Sequence, residues 1–325
     1  MSKLSPADLE RYIFSRTGAD NDDLLVGAGY GEDAAAVAID GSTMVVNTDP
    51  ISLAAERIGT LGVAIASNDV AACGGVPEWL VSTILLPEPD VELLDDITAQ
   101  LDAEARRLGI TIIGGHTETV VGLSQPLLSL TCLGETDRYV PTSGAAPGDA
   151  VLCTKAAGIE ATAVLATDFR AELDEAGVDT DTVDRAVAFF DDISVLPEAA
   201  VLAPAATAMH DPTEGGVLNG LVELACASAV HVDVDADVVP VRSETRTLCA
   251  AMGVDPLRVL GSGALLATVP GDEAQSAVAA LDAEGVDATV VATVDEPTDA
   301  TEAGVTYDGQ HYTGGVRDEM YDLWE

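Results

Sequence analysis

Short apolar runs alternate with helical stretches of small and apolar residues along this chain, and the two rhythms predict an α+β protein built as two α/β domains of similar make-up. In the first half, residues 5–15 read as a helix with Ser5 as N-cap and Pro6 in the first position. Residues 34–39 and 43–47 read as strands split by a turn at Asp40-Gly41. Residues 54–73 carry small and apolar side chains at helical spacing and stop at Gly74-Gly75. A strand over 79–86 is closed by Pro87 and Pro89, and 91–108 is an amphipathic helix with acids and Arg106-Arg107 on its wet side. Residues 110–113 read as a short buried strand and 127–133 as another. In the second half, strands are predicted over 150–154, 231–234, 263–269 and 288–294. Helices are predicted over 160–168, 182–190, 201–209, 217–228 and 273–284, the last closing a β-α-β unit. A breaker-rich stretch at 140–149 marks the expected boundary, giving domains 1–146 and 147–325.

Composition changes this picture in one respect. The chain carries a formal charge of −42 over 325 residues, yet 48% of the residues are hydrophobic and the apolar runs are periodic, so the chain folds. Such a charge repels nucleic acid and anionic lipid. No stretch approaches the roughly 18 uninterrupted apolar residues of a membrane span, and the first ten residues lack an apolar signal core. A cytoplasmic protein is expected. The five cysteines are scattered with no CxxC and read as buried free thiols, and the four histidines show no zinc-ligand spacing. Only two lysines occur, Lys3 and Lys155. Lys155 ends an apolar run, where it reads either as a phosphate clamp or as a strand-end lysine reaching for solvent.

Most acids are solvated surface. The informative ones end apolar runs beside Gly, Asn or Thr. They are the segment Gly27, Gly29, Gly31, Glu32, Asp33; Asn47-Thr48-Asp49; Asn68-Asp69 inside a helix of small residues; Gly114-Gly115-His116-Thr117-Glu118; and His210-Asp211 leading through Glu214 to Gly215-Gly216. Each alone reads as well as a turn, a cap or a kink. Together they have the makings of a phosphate site, because Gly-rich turns and helix N-termini present amides to phosphate oxygens, while carboxylates and Asn bind the divalent ions that bridge phosphates.

The wording and order of these pieces resemble the aminoimidazole ribonucleotide (AIR) synthetase superfamily. Its members include AIR synthetase, selenophosphate synthetase, thiamine-monophosphate kinase and the hydrogenase maturation protein HypE. The similar pieces run from Gly31–Ala36, Asn47–Asp49, Ala66–Pro77 and Gly114–Glu118 to Pro147–Asp149, Thr154–Glu160, Asp211–Gly216 and Gly261–Leu266, nearly the whole chain, and the HypE-like archaeal branch is the most similar. The resemblance implies a PurM-like fold whose N-terminal strands pair across a homodimer into a β-barrel. It implies ATP held at Gly29, Gly31, Asn68, Gly114, Gly115, Thr117, Asp211, Gly215 and Gly216, with magnesium on Asp33, Asp49 and Asp69. It gives catalytic roles to Asp49, to Lys155 as phosphate clamp and to His116 as a substrate contact, the other reading of His116 being a loop histidine that bonds backbone. The acceptor it implies is an amide-like or other oxygen of an unidentified molecule.

Departures blur the choice among members. No cysteine follows Cys249, His116 stands where other members carry Asp or Glu, and the first cysteine is Cys73. The alternatives are kinase-like transfer to thiamine monophosphate, or a nucleotide-binding maturation scaffold without turnover. The low Lys content and acid excess also point to a salt-rich cytoplasm. The thermal midpoint should rise as KCl goes from about 0.1 to about 2 M, because salt screens the self-repulsion; a protein most stable in dilute buffer would refute the idea.

Overall fold

The computed structural model describes residues 5–53, 56–297 and 303–324. The first half contains strands β1 (Leu24–Val26), β2 (Ala35–Ile39), β3 (Ser42–Ile51), β4 (Val76–Leu86), β5 (Thr111–Thr119) and β6 (Leu127–Thr136), with helices α1 (Pro6–Leu9), α2 (Ile58–Ala72) and α3 (Val91–Leu108). The second half contains β7 (Asp149–Thr154), β8 (Ala208–His210), β9 (His231–Val234), β10 (Leu266–Pro270), β11 (Ala288–Asp295), β12 (Gly304–Tyr307) and β13 (Gln310–Tyr312). Its helices are α4 (Ile159–Asp168), α5 (Arg170–Glu175), α6 (Thr180–Val187), α7 (Leu196–Leu202), α8 (Gly216–Ala227), α9 (Ser243–Met252), α10 (Ala274–Ala283) and α11 (Tyr321–Trp324).

The first sheet has the order β1-β2-β3-β6-β4-β5, antiparallel except for the β4–β5 pair. Along β6 every second residue from Leu128 to Cys132 is buried, and these face α2. The alternate residues on the opposite face are half-buried, and there Thr131 Oγ1 donates to Thr48 Oγ1 at 3.0 Å. Helix α2 is buried along its whole length because α3 covers it from outside. Small residues permit the fit. A Cβ on Gly59 would stand 2.7 Å from the Ile97 carbonyl oxygen, and one on Gly62 2.7 Å from Leu130 Cδ1. Helix α3 occupies the expected residues. Asp90 caps it by accepting from the amides of Glu92 and Leu93, and Gly109 closes it in the left-handed region.

The second sheet has the order β13-β12-β9-β11-β7-β10-β8. All six residues of β7 are buried, since α8 packs with Val151 and Cys153 while α7 and α10 pack with Ala150 and Leu152. Both faces are covered, so the strand reads as an unbroken apolar run.

Several expectations change. The helix expected over 201–209 ends at Leu202 instead, because Pro204 denies the helix an amide, and the chain re-forms as strand β8. Strand β3 runs on through Asp49 and Pro50 to Ile51, paired with β6, so Asp49 sits within a strand rather than after it. The predicted buried strand over 110–113 is nine residues long, and all nine are exposed at the sheet edge. Gly114 to Glu118, expected as a loop, lie in that strand. Strands β10 and β11 flank β7 rather than each other. Helix α2 starts at Ile58; the first two residues expected in it, 54 and 55, lie outside the described residues, as does Lys3. All five cysteines are free, and only Cys226 is not fully buried.

Candidate active site

A cavity of about 670 Å3 is walled by residues of both halves. Three elements of the first half bring carboxylates to it: the glycine-bearing segment before β2 brings Asp33, strand β3 brings Asp49, and the buried helix α2 brings Asp69. Asn47, two residues before Asp49 and therefore on the same face of β3, ties two of them together. Its Nδ2 donates to Asp49 Oδ2 at 2.8 Å and also to Asp69 Oδ2. The second half answers with His210 at the end of β8 and with Asp211 just beyond it.

His210 lies between two carboxylates. Its Nδ1 stands 2.6 Å from Asp33 Oδ1 and its Nε2 3.1 Å from Glu223 Oε2 on α8. The Nδ1 hydrogen does not point squarely at its oxygen, so the closer contact is an ion pair more than an aligned hydrogen bond. The Asp211 amide donates to Asp33 Oδ2 at 3.2 Å, so Asp33 is held twice by the second half. Burial alone would lower the imidazole pKa, but the charges and hydrogen bonds of Asp33 and Glu223 overcome it and raise His210 to about 10.

The other acids are less well compensated. Burial pushes Asp69 well above the usual carboxylate range, and the neighbouring Asp49, Asp33 and Asp211 push it further. Asp211 is raised by burial and then by Asp33, with His210 and Asn68 pulling back. Both carboxylate oxygens of Asp211 and the Oδ1 of Asn47 are buried without an aligned hydrogen-bond partner. Buried acceptors left unsatisfied are costly, so the cavity is short of donors and of positive charge. Among the described residues no three carboxylate, imidazole or thiolate groups stand close enough to hold a metal ion as they are. The donor set nonetheless suits a hard cation, which takes oxygen ligands and would relieve the mutual repulsion.

The expected site residues divide into three groups. Gly29, Gly31, Asp33, Asp49, Asp69 and Asp211 line the cavity. Gly31 has φ +81°, and a Cβ there would stand 3.1 Å from the Glu223 carbonyl oxygen, so only glycine brings the segment this close to α8. Asn68, Gly215 and Gly216 are buried beside it but spent on other contacts. Asn68 Nδ2 donates to the Ile193 carbonyl at 3.0 Å, and its Oδ1 accepts from the Val195 amide at 2.9 Å. The Gly215 amide donates to Asp318 Oδ2 at 2.7 Å and the Gly216 amide to the Thr213 carbonyl at 3.0 Å, so neither faces the cavity.

The third group lies elsewhere. Gly114, Gly115, His116 and Thr117 are on the exposed strand β5, where His116 Nε2 is 3.4 Å from Glu118 Oε2. Gly115 is glycine for a packing reason, since a Cβ would come within 2.2 Å of the Ser82 carbonyl oxygen. Lys155 is neither the expected phosphate clamp nor a solvent-seeking strand end. Its Nζ donates to the carbonyls of Asp192 and Ser194, both at 2.8 Å, and pairs with Glu198 Oε1 at 2.7 Å. Those three contacts use all three of its protons.

Three further groups of the cavity wall carry little signal in the sequence. His210 reads in the sequence only as part of the 210–216 segment and Glu160 only as the end of the 154–160 piece, while Glu223 carries no signal of its own. Glu160 opens helix α4, lines the cavity and is 5% exposed. Its carboxyl is raised to about 7, chiefly by burial. A carboxylate in the first turn of a buried helix beside Gly158 was the available signal.

The fold and this cavity define a two-domain mixed α/β protein with a carboxylate-rich site between its halves. The chain belongs to the AIR synthase related family. The model of the family's N-terminal domain matches residues 31–136 and that of its C-terminal domain residues 146–303. The carbamoyl dehydratase HypE of Rhizobium leguminosarum bv. viciae is 30% identical over 264 residues, which are 78% of this chain and 73% of that protein. The selenide, water dikinase of Geobacter metallireducens is 31% identical over 257 residues, 77% of this chain and 72% of that one. The solved structure of hydrogenase maturation protein HypE in complex with ATP is similar at a TM-score of 0.68 and 26% identity, covering 90% of this chain and 87% of that one.

Replacing His210 with Ala should cost about 3–5 kcal/mol, because it removes the positive charge held between the buried carboxylates of Asp33 and Glu223. The folded pKa of His210 is raised, so its stabilisation is complete below its ordinary pKa of 6.5 and is lost as pH rises through about 10. Denaturant unfolding should show the gap between wild type and His210→Ala narrowing over that interval; a gap that widens with pH would contradict the ion-pair assignment.

Proposed function

We propose that this chain is an ATP-dependent enzyme that transfers the terminal phosphoryl group of ATP to an oxygen of an acceptor, as its likeness to a carbamoyl dehydratase, a selenide dikinase and an ATP-bound HypE suggests. The observation that carries the reading is the meeting of Asp33, Asp49, Asp69 and Asp211 in one cavity with acceptors left unsatisfied. Phosphoryl transfer asks for positioning and charge neutralisation, with little covalent chemistry from the protein. Magnesium held by Asp49, Asp69 and Asp33 would neutralise phosphate charge there. The backbone at Gly29 and Gly31 would approach the phosphates closely. His210 fixes the direction of Asp33, and Asn47 fixes Asp49 against Asp69. Asn68 holds the 193–195 segment of the second half against α2.

The working unit is a homodimer on this reading. Strand β5 is a long sheet edge with exposed Ile112 and Ile113, and among the described residues no strand pairs with its outer side and no helix packs on the half-buried face of its sheet. Soluble proteins rarely leave such an edge uncovered, and closing it into a barrel with a second copy removes it. Gly114, Gly115, His116 and Thr117 would then lie at the seam, where residues remote from their own cavity can reach a neighbouring one. Sedimentation should show a dimer, and Ile113→Glu should shift it toward monomer; a wild-type monomer at micromolar concentration would refute this.

Replacing Asp49 with Ala should lower ADP release from ATP by about 100-fold or more while the circular dichroism spectrum is retained. Full activity in that variant would remove Asp49 from the site.

A further inference from the structure

Resting on the phosphoryl-transfer reading, we propose that Glu160, a buried carboxylate in the wall of the cavity, takes up the proton that the acceptor gives up. The two halves of the cavity differ in what they offer. The first half gathers the acids that suit a cation and phosphates. The second half contributes the carboxylates of Glu160, Asp211, Glu214, Glu223 and Asp318, with no lysine among the described lining residues. Among the described lining residues nine carboxylates face one arginine and one histidine. His210 is engaged by Asp33 and Glu223, and Arg317 pairs with Asp322 at 2.6 Å.

Glu160 is placed for the task by backbone geometry. Gly158 takes the left-handed conformation with φ +69° and turns the chain into α4. The Glu160 amide donates to the Ser262 carbonyl at 3.1 Å and the Ala161 amide to the Leu260 carbonyl at 3.1 Å, which pins the first turn against the 260–262 segment. The side chain then faces the cavity, and among the described residues it has no ion-pair partner. The charged groups facing it are Glu214 from the segment before α8, Asp318 from the C-terminal segment and, further off, Asp211 after β8; Ser262 is its polar neighbour. All the charged ones are acids, and together with burial they hold the carboxyl near neutrality. That is the range in which a general base works best at physiological pH.

The step balances as follows. The acceptor oxygen forms a bond to the terminal phosphorus as the bridging P–O bond breaks, and that electron pair leaves on ADP. The proton on the acceptor nitrogen or hydroxyl passes to the Glu160 carboxylate. An amide acceptor thereby becomes an imidate phosphate, a hydroxyl a phosphate ester, and with water the product is inorganic phosphate.

The test compares wild type, Glu160→Gln and Glu160→Asp in molar KCl with magnesium, using water, acetamide and thiamine monophosphate as probe acceptors. ATP affinity by calorimetry should be equal within about twofold, while ADP release in Glu160→Gln falls by about 100-fold or more and Glu160→Asp recovers part of it. The wild-type rate should fall below pH 7, where the base is protonated, and this acid limb should be missing from Glu160→Gln. Removing a buried acid should leave Glu160→Gln at least as stable as wild type at pH 8, which separates a lost base from a lost fold. A Glu160→Gln protein with the wild-type rate and acid limb overturns the assignment and leaves the phosphoryl-transfer reading standing. A wild type that binds ATP yet releases no ADP with any probe sinks the phosphoryl-transfer reading itself, and this proposal with it.

Discussion

Carboxylates enclosed together away from water set the terms for this structure. An ionised acid loses much of its hydration when buried, and a second acid nearby makes the loss worse. Here Asp33, Asp69 and Asp211 share one poorly solvated space, and their proton affinities are all raised. The fold meets the problem in two ways. It inserts the His210 imidazolium between Asp33 and Glu223, and it leaves the remaining acceptors to retain protons or await a cation. The arrangement is costly as it stands, and a bound cation would turn the cost into affinity.

The rest of the architecture serves that enclosure. Helix α2 is buried on every side, so Asp69 lies in low dielectric. The same helix joins the two halves through Asn68, whose amide holds the backbone of Ile193 and Val195. Lys155 holds the adjacent carbonyls of Asp192 and Ser194 from the other side. The segment over 192–195 is therefore clamped by one polar side chain from each half. The rare lysine of an acidic chain has a structural post, where its charge is matched by Glu198 and its hydrogen bonds are complete.

The outer surface and the site are both acidic, but solvation gives the same residue type opposite behaviour. Exposed Asp102 beside Arg106 is held below the usual carboxylate range, chiefly by the hydrogen bond they share. Asp69, a few turns away on the neighbouring helix, is held well above it. The formal charge of −42 thus describes the shell of the protein and says little about its chemistry.

Periodicity and punctuation in the sequence determined the elements that depend on neighbours in the chain. Helix α3 was legible from its amphipathic spacing, and the hairpin of β2 and β3 from Asp40-Gly41, both of which take positive φ. The polar corners at Asp33, Asp49, Asp69 and Asp211 were legible because acids at the ends of apolar runs or inside a small-residue helix lack a packing reason. Contacts between distant residues could not be read this way. Asp33 meets the Asp211 amide 178 positions away, and Lys155 meets carbonyls 37 and 39 positions away. Strand β5 looked like a core strand because Ile112 and Ile113 are apolar, and only its place at the sheet edge shows both faces open. Local backbone preference and hydrophobic period belong to the chain; which carboxylates lose their water, and that His210 stands between Asp33 and Glu223, is settled only when the two halves close on one another, because desolvation is a property of the enclosed space.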